Sequence, residues 1–172
     1  LTIDFFNGFY MVSWYSEGIY SFRDEVYEGL KKAVNTRGIY EKLRFNTNGQ
    51  YIEKDDYVSG EKGEFPIIVQ ENGMNYAVDL NDGAMTGIFL DQRNVRKALR
   101  DKYSENKTVL NTFSYTGAFS VAAAHGGAIS TTSVDLAKRS LAKTIEQFAV
   151  SGIDYEAQDI KVMNVFDYFS YA

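Results

Sequence analysis

Cysteine is absent from this 172-residue sequence, which excludes disulfides, thiolate metal sites and any cysteine nucleophile of its own. Proline occurs once, at Pro66, so a proline-rich linker or recognition segment is excluded as well. The single histidine, His125, lacks the cluster that a metal needs and the neighbours that a hydrolytic triad needs. Its place before Gly126-Gly127, closing a small-residue helix, suits a structural role beside the helix C-terminal dipole. No apolar run approaches the roughly 18 residues that span a bilayer, and no signal peptide is visible at Leu1. A cytoplasmic protein with no membrane partner is therefore expected. Positive charge is also short, and a net charge of −5 argues against the whole chain being a free-standing RNA binder.

What is present is apolar surface. A 45% hydrophobic content, with 15% aromatic residues, is enough to build one domain or two small ones. The first 70 residues are rich in Phe and Tyr. Leu1-Thr2-Ile3-Asp4 reads as a strand already under way, which suggests a piece of something longer. Phe9 to Trp14 reads as a second strand ahead of a turn at Gly18. Phe22, Val26, Leu30 and Val34 recur at steps of four, predicting a helix over Ser21 to Val34. After Gly38 the chain turns extended again through Ile39-Tyr40-Glu41-Lys42. Asn48-Gly49 and Asn72-Gly73 are hairpin signals, the second joining 67–70 to 76–79. Asp55 to Glu64, charged and carrying Gly60 and Gly63, reads as an exposed loop. Phe5, Phe6, Phe9, Tyr10, Trp14 and Tyr15 could stack on RNA bases, but few basic residues are interleaved with them, which favours strand core.

The stretch KTVLNTFSYTGAFSVAAAHGGAISTTSVD, Lys107 to Asp135, is the most informative. Thr108-Val109-Leu110 suits a strand buried on both faces. Thr116-Gly117-Ala118 is a turn through which backbone can approach a ligand, and a helix from Phe119 to Ala124 follows it. Ser133-Val134-Asp135 ends a second strand in a carboxylate, eighteen residues beyond Gly117, where it can accept from both hydroxyls of a ribose. That arrangement describes a site for an adenosine-containing cofactor. The turn has one glycine and no basic residue, and neither GxGxxG nor GxxxxGK[ST] occurs anywhere in the chain. A ribose acid without a phosphate cradle fits S-adenosylmethionine better than NAD or ATP.

Further along, Leu141, Ile145, Phe148 and Ala149 predict a helix ending near Gly152, and 159–163 a third strand. Arg93, Arg96, Lys97 and Arg100 fall on one helical face, with Val95, Ala98, Leu99 and Tyr103 on another. Such a face is either ordinary solvated surface or a set of contacts, Arg93 to a cofactor carboxylate and Arg96, Lys97 and Arg100 to RNA phosphates.

Thr86-Gly87-Ile88-Phe89-Leu90-Asp91-Gln92-Arg93, followed by VLNTFSYTGAFS, resembles the bacterial large-subunit ribosomal RNA cytosine-5 methyltransferases. Members of that family join an N-terminal PUA domain, a central α+β domain and a C-terminal class I methyltransferase domain. The resemblance implies an α/β chain with an α+β front domain (1–75), followed by the first half of a Rossmann-like methyltransferase domain (76–172). It implies S-adenosylmethionine as cofactor and ribosomal RNA as partner. It places Gln92 and Arg93 along one side of the cofactor, and Asn111, Phe113, Ser114, Tyr115, Thr116, Gly117 and Phe119 around the turn. Asp135 and Leu136 would lie at the ribose, with Asn164, Val165 and Phe166 around adenine.

There are departures. Asn111 and Asn164 stand where acids are common, and Ser114 where many relatives have Cys. The family's catalytic cysteine and its Asp-Pro-Pro segment are missing, so no catalytic residue can be assigned within the chain, nor any metal ligand. A fragment carrying the cofactor half of the site is expected, inactive alone and cut before the fourth strand. The first strand, Thr108 to Phe113, would then be an open edge inviting a homodimer or other self-association. Competing readings are a class I methyltransferase acting on a protein or small molecule, and a non-catalytic RNA-binding module.

Overall fold

A computed structural model describes residues 1–45 and 55–171. The hairpin signal at Asn48-Gly49 lies outside the described residues. The chain forms two compact units, residues 1–67 with 78–86, and residues 68–77 with 87–172.

The first unit is built on a four-stranded sheet in the order β1-β2-β3-β4. β1 (Thr2–Phe6) turns through Asn7 and Gly8, both at positive φ, into antiparallel β2 (Phe9–Trp14). At Gly18 the chain makes a short helix, α1 (Glu17–Tyr20), where a plain turn was expected. α2 (Arg23–Ala33) follows the predicted stripe, and β3 (Gly38–Leu43) returns parallel to β2. β4 (Tyr57–Gly60) pairs antiparallel with β3, so part of the expected 55–64 loop is a strand. The charges there misled because one of them is not solvated. Asp56 is fully buried and accepts from the equally buried Lys42 ammonium at 2.5 Å. Lys42 also donates to the Gly83 carbonyl at 2.6 Å, and burial pushes its pKa down against the opposing pull of Asp56.

Val12, Trp14, Tyr27, Leu30 and Ile39 form the core under α2. Each such side chain contributes about 1.5–3 kcal/mol when taken out of water. Of the six early aromatics, Phe6, Phe9 and Trp14 are buried and Tyr10 packs against this core, while Phe5 and Tyr15 are exposed.

The second unit starts with most of a hairpin. β5 (Ile67–Glu71) and β6 (Met74–Val78) are joined by Asn72 and Gly73, with φ of 52° and 81°. Two consecutive positive φ values are what an Asn-Gly turn of the mirror-image type requires. A 3₁₀ turn (Leu90–Gln92) leads into α3 (Arg93–Ala98), which ends in a π turn (Leu99–Tyr103). The rest alternates strand and helix: β7 (Thr108–Thr112), α4 (Ala118–His125), β8 (Ser130–Asp135), α5 (Arg139–Val150), β9 (Asp159–Val162), α6 (Val165–Tyr171).

These strands make a parallel sheet in the order β7-β8-β9. Parallel strands joined by helices define a Rossmann-like α/β layer, with ligand chemistry expected at the strands' carboxyl ends. Among the described strands β7 pairs with β8 alone, and Leu110 on it is 42% exposed. α5 ends near Gly152 as its pattern predicts, with Ile153 N–H donating back to the Phe148 carbonyl. Its buried face, however, carries Ser140, Thr144 and Gln147 beside Phe148, and Leu141 is exposed. The Gln147 amide explains the difference, because it accepts from Ala77 N–H at 2.9 Å and donates to the Ala77 carbonyl at 2.8 Å. That bond also explains why the units do not part at a single point between residues 75 and 76. The hairpin's second strand completes its hydrogen bonding on α5, while residues 78–86 belong with the first sheet. No helix among the described residues is long and apolar enough to cross a membrane.

Candidate cofactor site

Asp135 is the last residue of β8, and two backbone donors hold its half-buried carboxylate. One oxygen accepts from Tyr115 N–H and the other from Ala137 N–H, both at 2.9 Å. A carboxylate has about four acceptor positions, so two remain for the vicinal hydroxyls of a ribose. The Tyr115 bond draws the turn after β7 onto the end of β8.

That turn is tightly specified. Ser114 N–H donates to the Val134 carbonyl and Gly117 N–H to the Ser114 carbonyl. Phe113 and Tyr115 both lie in the left-handed region, at φ 54° and 53°, which is uncommon for bulky side chains. Such strain persists where surroundings over-determine it, and it concentrates at ligand sites. Gly117 has φ +77°, and a Cβ there would stand 2.6 Å from the Thr144 methyl. Glycine is therefore demanded twice, by conformation and by the approach of α5. The Gly117→Ala variant is expected to lose about 1–2 kcal/mol from the left-handed φ alone and to melt roughly 2–8 °C lower by calorimetry. An unchanged melting point would refute this account of the turn.

Three exposed apolar side chains belong to the residues around this carboxylate. Phe113 is 66% exposed, Leu136 69% and Phe166 73%, and the Phe113 and Phe166 rings stand edge-on at 6.3 Å. Asn164 accepts from Phe166 N–H at 2.8 Å through its side-chain oxygen and so caps α6, while Val165 is buried. Asn111 donates to the Ser120 hydroxyl at 3.0 Å, and that hydroxyl meets Ser133 at 2.6 Å. Its amide nitrogen thus ties β7 to α4 and β8. Phe119 lies over the Arg96 guanidinium, 5.9 Å from its ring centre, and so packs against that cation. Gln92 closes the 3₁₀ turn half-buried, and Arg93 begins α3 exposed.

The three residues expected at RNA phosphates separate. Arg96 is 1% exposed and forks onto Glu71 with bonds of 2.8 and 2.7 Å, so it is buried away from any phosphate. The helical projection does not sort this segment by burial, since Arg93 and Lys97 are exposed as expected but so are the apolar Val95 and Tyr103. Lys97 and Arg100 both meet Asp101, whose carboxyl they hold down at about 2, Arg100 contributing first. Arg100 also donates to the Asn72 carbonyl. Lys97 remains exposed and Arg100 half-buried. The side-chain partnerships of Glu71, Tyr76 and Gln147 carry no signal in the sequence, because their partners lie 20 to 70 residues away with no local pattern. Among the described residues no group of three or more His, Cys, Asp or Glu is placed to hold a metal ion.

Residues 30–170 match the model of the S-adenosylmethionine-dependent methyltransferase family, and the chain belongs to that family. It is 67% identical over its whole length to YwbD of Bacillus subtilis, a protein assigned to the ribosomal RNA large subunit methyltransferases. It is 33% identical, over 90% of its length, to ribosomal RNA large subunit methyltransferase I of Aeromonas salmonicida. The chain spans less than half of these relatives, 44% and 39% respectively. A crystal structure of a protein classed as a methyltransferase, complexed with SAH (S-adenosylhomocysteine), superposes with a TM-score of 0.91 at 47% identity. That match covers 99% of this chain and 43% of the other.

Proposed function

We propose that this chain forms the S-adenosylmethionine-binding part of a cytoplasmic enzyme that methylates large-subunit ribosomal RNA at carbon 5 of cytosine. The observation that carries the cofactor reading is the Asp135 carboxylate, fixed by Tyr115 and Ala137 N–H groups at the carboxyl end of a parallel strand. The donor set fits a nucleoside without phosphates. A carboxylate faces the ribose, Phe113, Leu136 and Phe166 offer apolar surface for adenine, and the FSYTGAFS turn holds no cation for a phosphate. Gln92 and Arg93 would serve the methionine end, with Ser114, Thr116 and Gly117 along the turn. Bound there, the cofactor would supply an electrophilic methyl group.

Ribosomal RNA as substrate rests on the two curated relatives and on the family resemblance. Carbon 5 of cytosine needs a nucleophile added at carbon 6 before it can take a methyl group, and no thiol exists within these 172 residues. The chain would therefore hold the cofactor without methylating on its own. Lys97 and Arg100 are the cations left for phosphate contact. Among the described strands β7 pairs with β8 alone, and its other edge would pair with a second copy.

The test has two parts. Calorimetric titration of the chain with SAH reads cofactor binding, and absence of binding would overturn the cofactor reading. Full-length enzyme given methyl-labelled S-adenosylmethionine and unmodified large-subunit RNA reads the acceptor. Label in 5-methylcytidine supports the proposal, whereas label in another nucleoside, or in none, moves the acceptor elsewhere.

A further inference from the structure

Two side chains of the turn do something besides line it. Tyr115 and Thr116, adjacent in sequence, take hold of both sides of one distant peptide residue, Gly87. The Tyr115 hydroxyl accepts from Gly87 N–H at 3.1 Å, and the Thr116 hydroxyl donates to the Gly87 carbonyl at 2.6 Å. The Phe89 ring then meets the Tyr115 ring edge-on at 5.6 Å. Thr116 is 3% exposed, so its bond is made out of water, where an unmatched carbonyl is costly. Gly87 itself sits at φ +109°, a conformation that L side chains rarely adopt. Tyr115 is also the residue whose N–H holds Asp135. One strained residue therefore touches, through backbone and hydroxyl, both the ribose acid and the segment that runs into Gln92 and Arg93.

We propose that Tyr115 and Thr116 are positioning residues that fix segment 87–93 to the cofactor turn, and so set the methionine end of the cofactor independently of its adenosine end. This rests on the cofactor reading above. The logic is one of reach. The 3₁₀ turn begins at Leu90, three residues after the clamped Gly87, so freeing Gly87 frees Gln92 and Arg93 together. Asp135, Phe113 and Phe166 keep their own contacts through β8, β7 and α6 and do not depend on Gly87.

The prediction compares two ligands that share adenosine and differ in the amino-acid tail. Calorimetric titrations with adenosine and with SAH are made on the wild-type chain and on Tyr115→Phe, Thr116→Val and Thr116→Ser. Tyr115→Phe keeps the ring on Phe89 and removes the acceptor for Gly87 N–H. Thr116→Val keeps the shape and removes the donor. Each is expected to weaken SAH about tenfold while leaving adenosine within about twofold, the loss of one buried hydrogen bond. Thr116→Ser restores the donor and should restore SAH binding. Retained adenosine affinity reports in the same experiment that the site is folded. Equal losses for both ligands, or no loss for SAH, would overturn the clamp while leaving the cofactor reading standing. A wild-type chain that binds neither ligand would remove both.

Discussion

Asp135→Ala is expected to weaken SAH binding by a factor of about 100 or more. In the proposed site its carboxylate would offer two charge-assisted acceptor positions to the ribose, and hydrogen bonds to a charged group are worth about 1.5–3 kcal/mol each. Two of them amount to two to four decades in affinity at roughly 1.4 kcal/mol per decade. The alanine also strands two backbone donors, Tyr115 N–H and Ala137 N–H, so the turn loses what draws it to β8. Asp135→Asn separates these effects. One amide oxygen can still satisfy one N–H, while the amide nitrogen confronts the other, donor against donor. An intermediate loss of about tenfold is expected, with a lower melting temperature. If alanine binds SAH within threefold of wild type by calorimetry, Asp135 is not the ribose acid.

The Arg96–Glu71 pair is where the largest loss of stability is expected. Arg96→Met leaves a carboxylate only 5% exposed with no counter-charge, which costs about 3–5 kcal/mol. Folding leaves a net of only about 5–15 kcal/mol for a domain, so such a loss consumes much of it. Arg96→Lys should recover little, because an ammonium cannot fork onto both carboxylate oxygens or lie flat between Tyr76 and Phe119, whose rings stand 5.7 and 5.9 Å from the guanidinium. Removing both charges in Glu71→Leu/Arg96→Met should restore most of the stability, since paired apolar groups can replace a buried ion pair. Urea unfolding decides this, and a single-variant loss under 1 kcal/mol would sink the account. The same arrangement pushes the Tyr76 hydroxyl above its usual range, burial leading and Arg96 opposing it.

The contrast between these two sites shows what could be read from the chain. The strand end at Asp135 and the turn at Gly117 were legible because both depend on local order, their distance along the sequence being constrained by one helix. The Asn72-Gly73 hairpin was legible for the same reason, its backbone angles being a property of the dipeptide. Arg96 was not. A helical projection separates cations from apolar residues but cannot say which face is inside, and the deciding carboxylate, Glu71, lies 25 residues earlier. Tyr57–Gly60 was passed over as a strand because Asp56 looked solvated, and its partner Lys42 lies 14 residues back. Gln147 is the extreme case, a polar residue buried to serve a backbone 70 residues away.

That last bond has a consequence for how the molecule comes into being. At about 5–20 residues per second, roughly 4–14 s separate synthesis of Ala77 from synthesis of Gln147. The β5–β6 hairpin leaves the ribosome long before the helix that must accept it, whereas β1 to β4 all lie within the first 60 residues. The first sheet can assemble from near neighbours, with low loop-closure cost. The hairpin meanwhile stays a short two-stranded ribbon, marginal in water. During birth of the chain, the parallel sheet and its helices are therefore the late partner, and their arrival gives that early ribbon a lasting place.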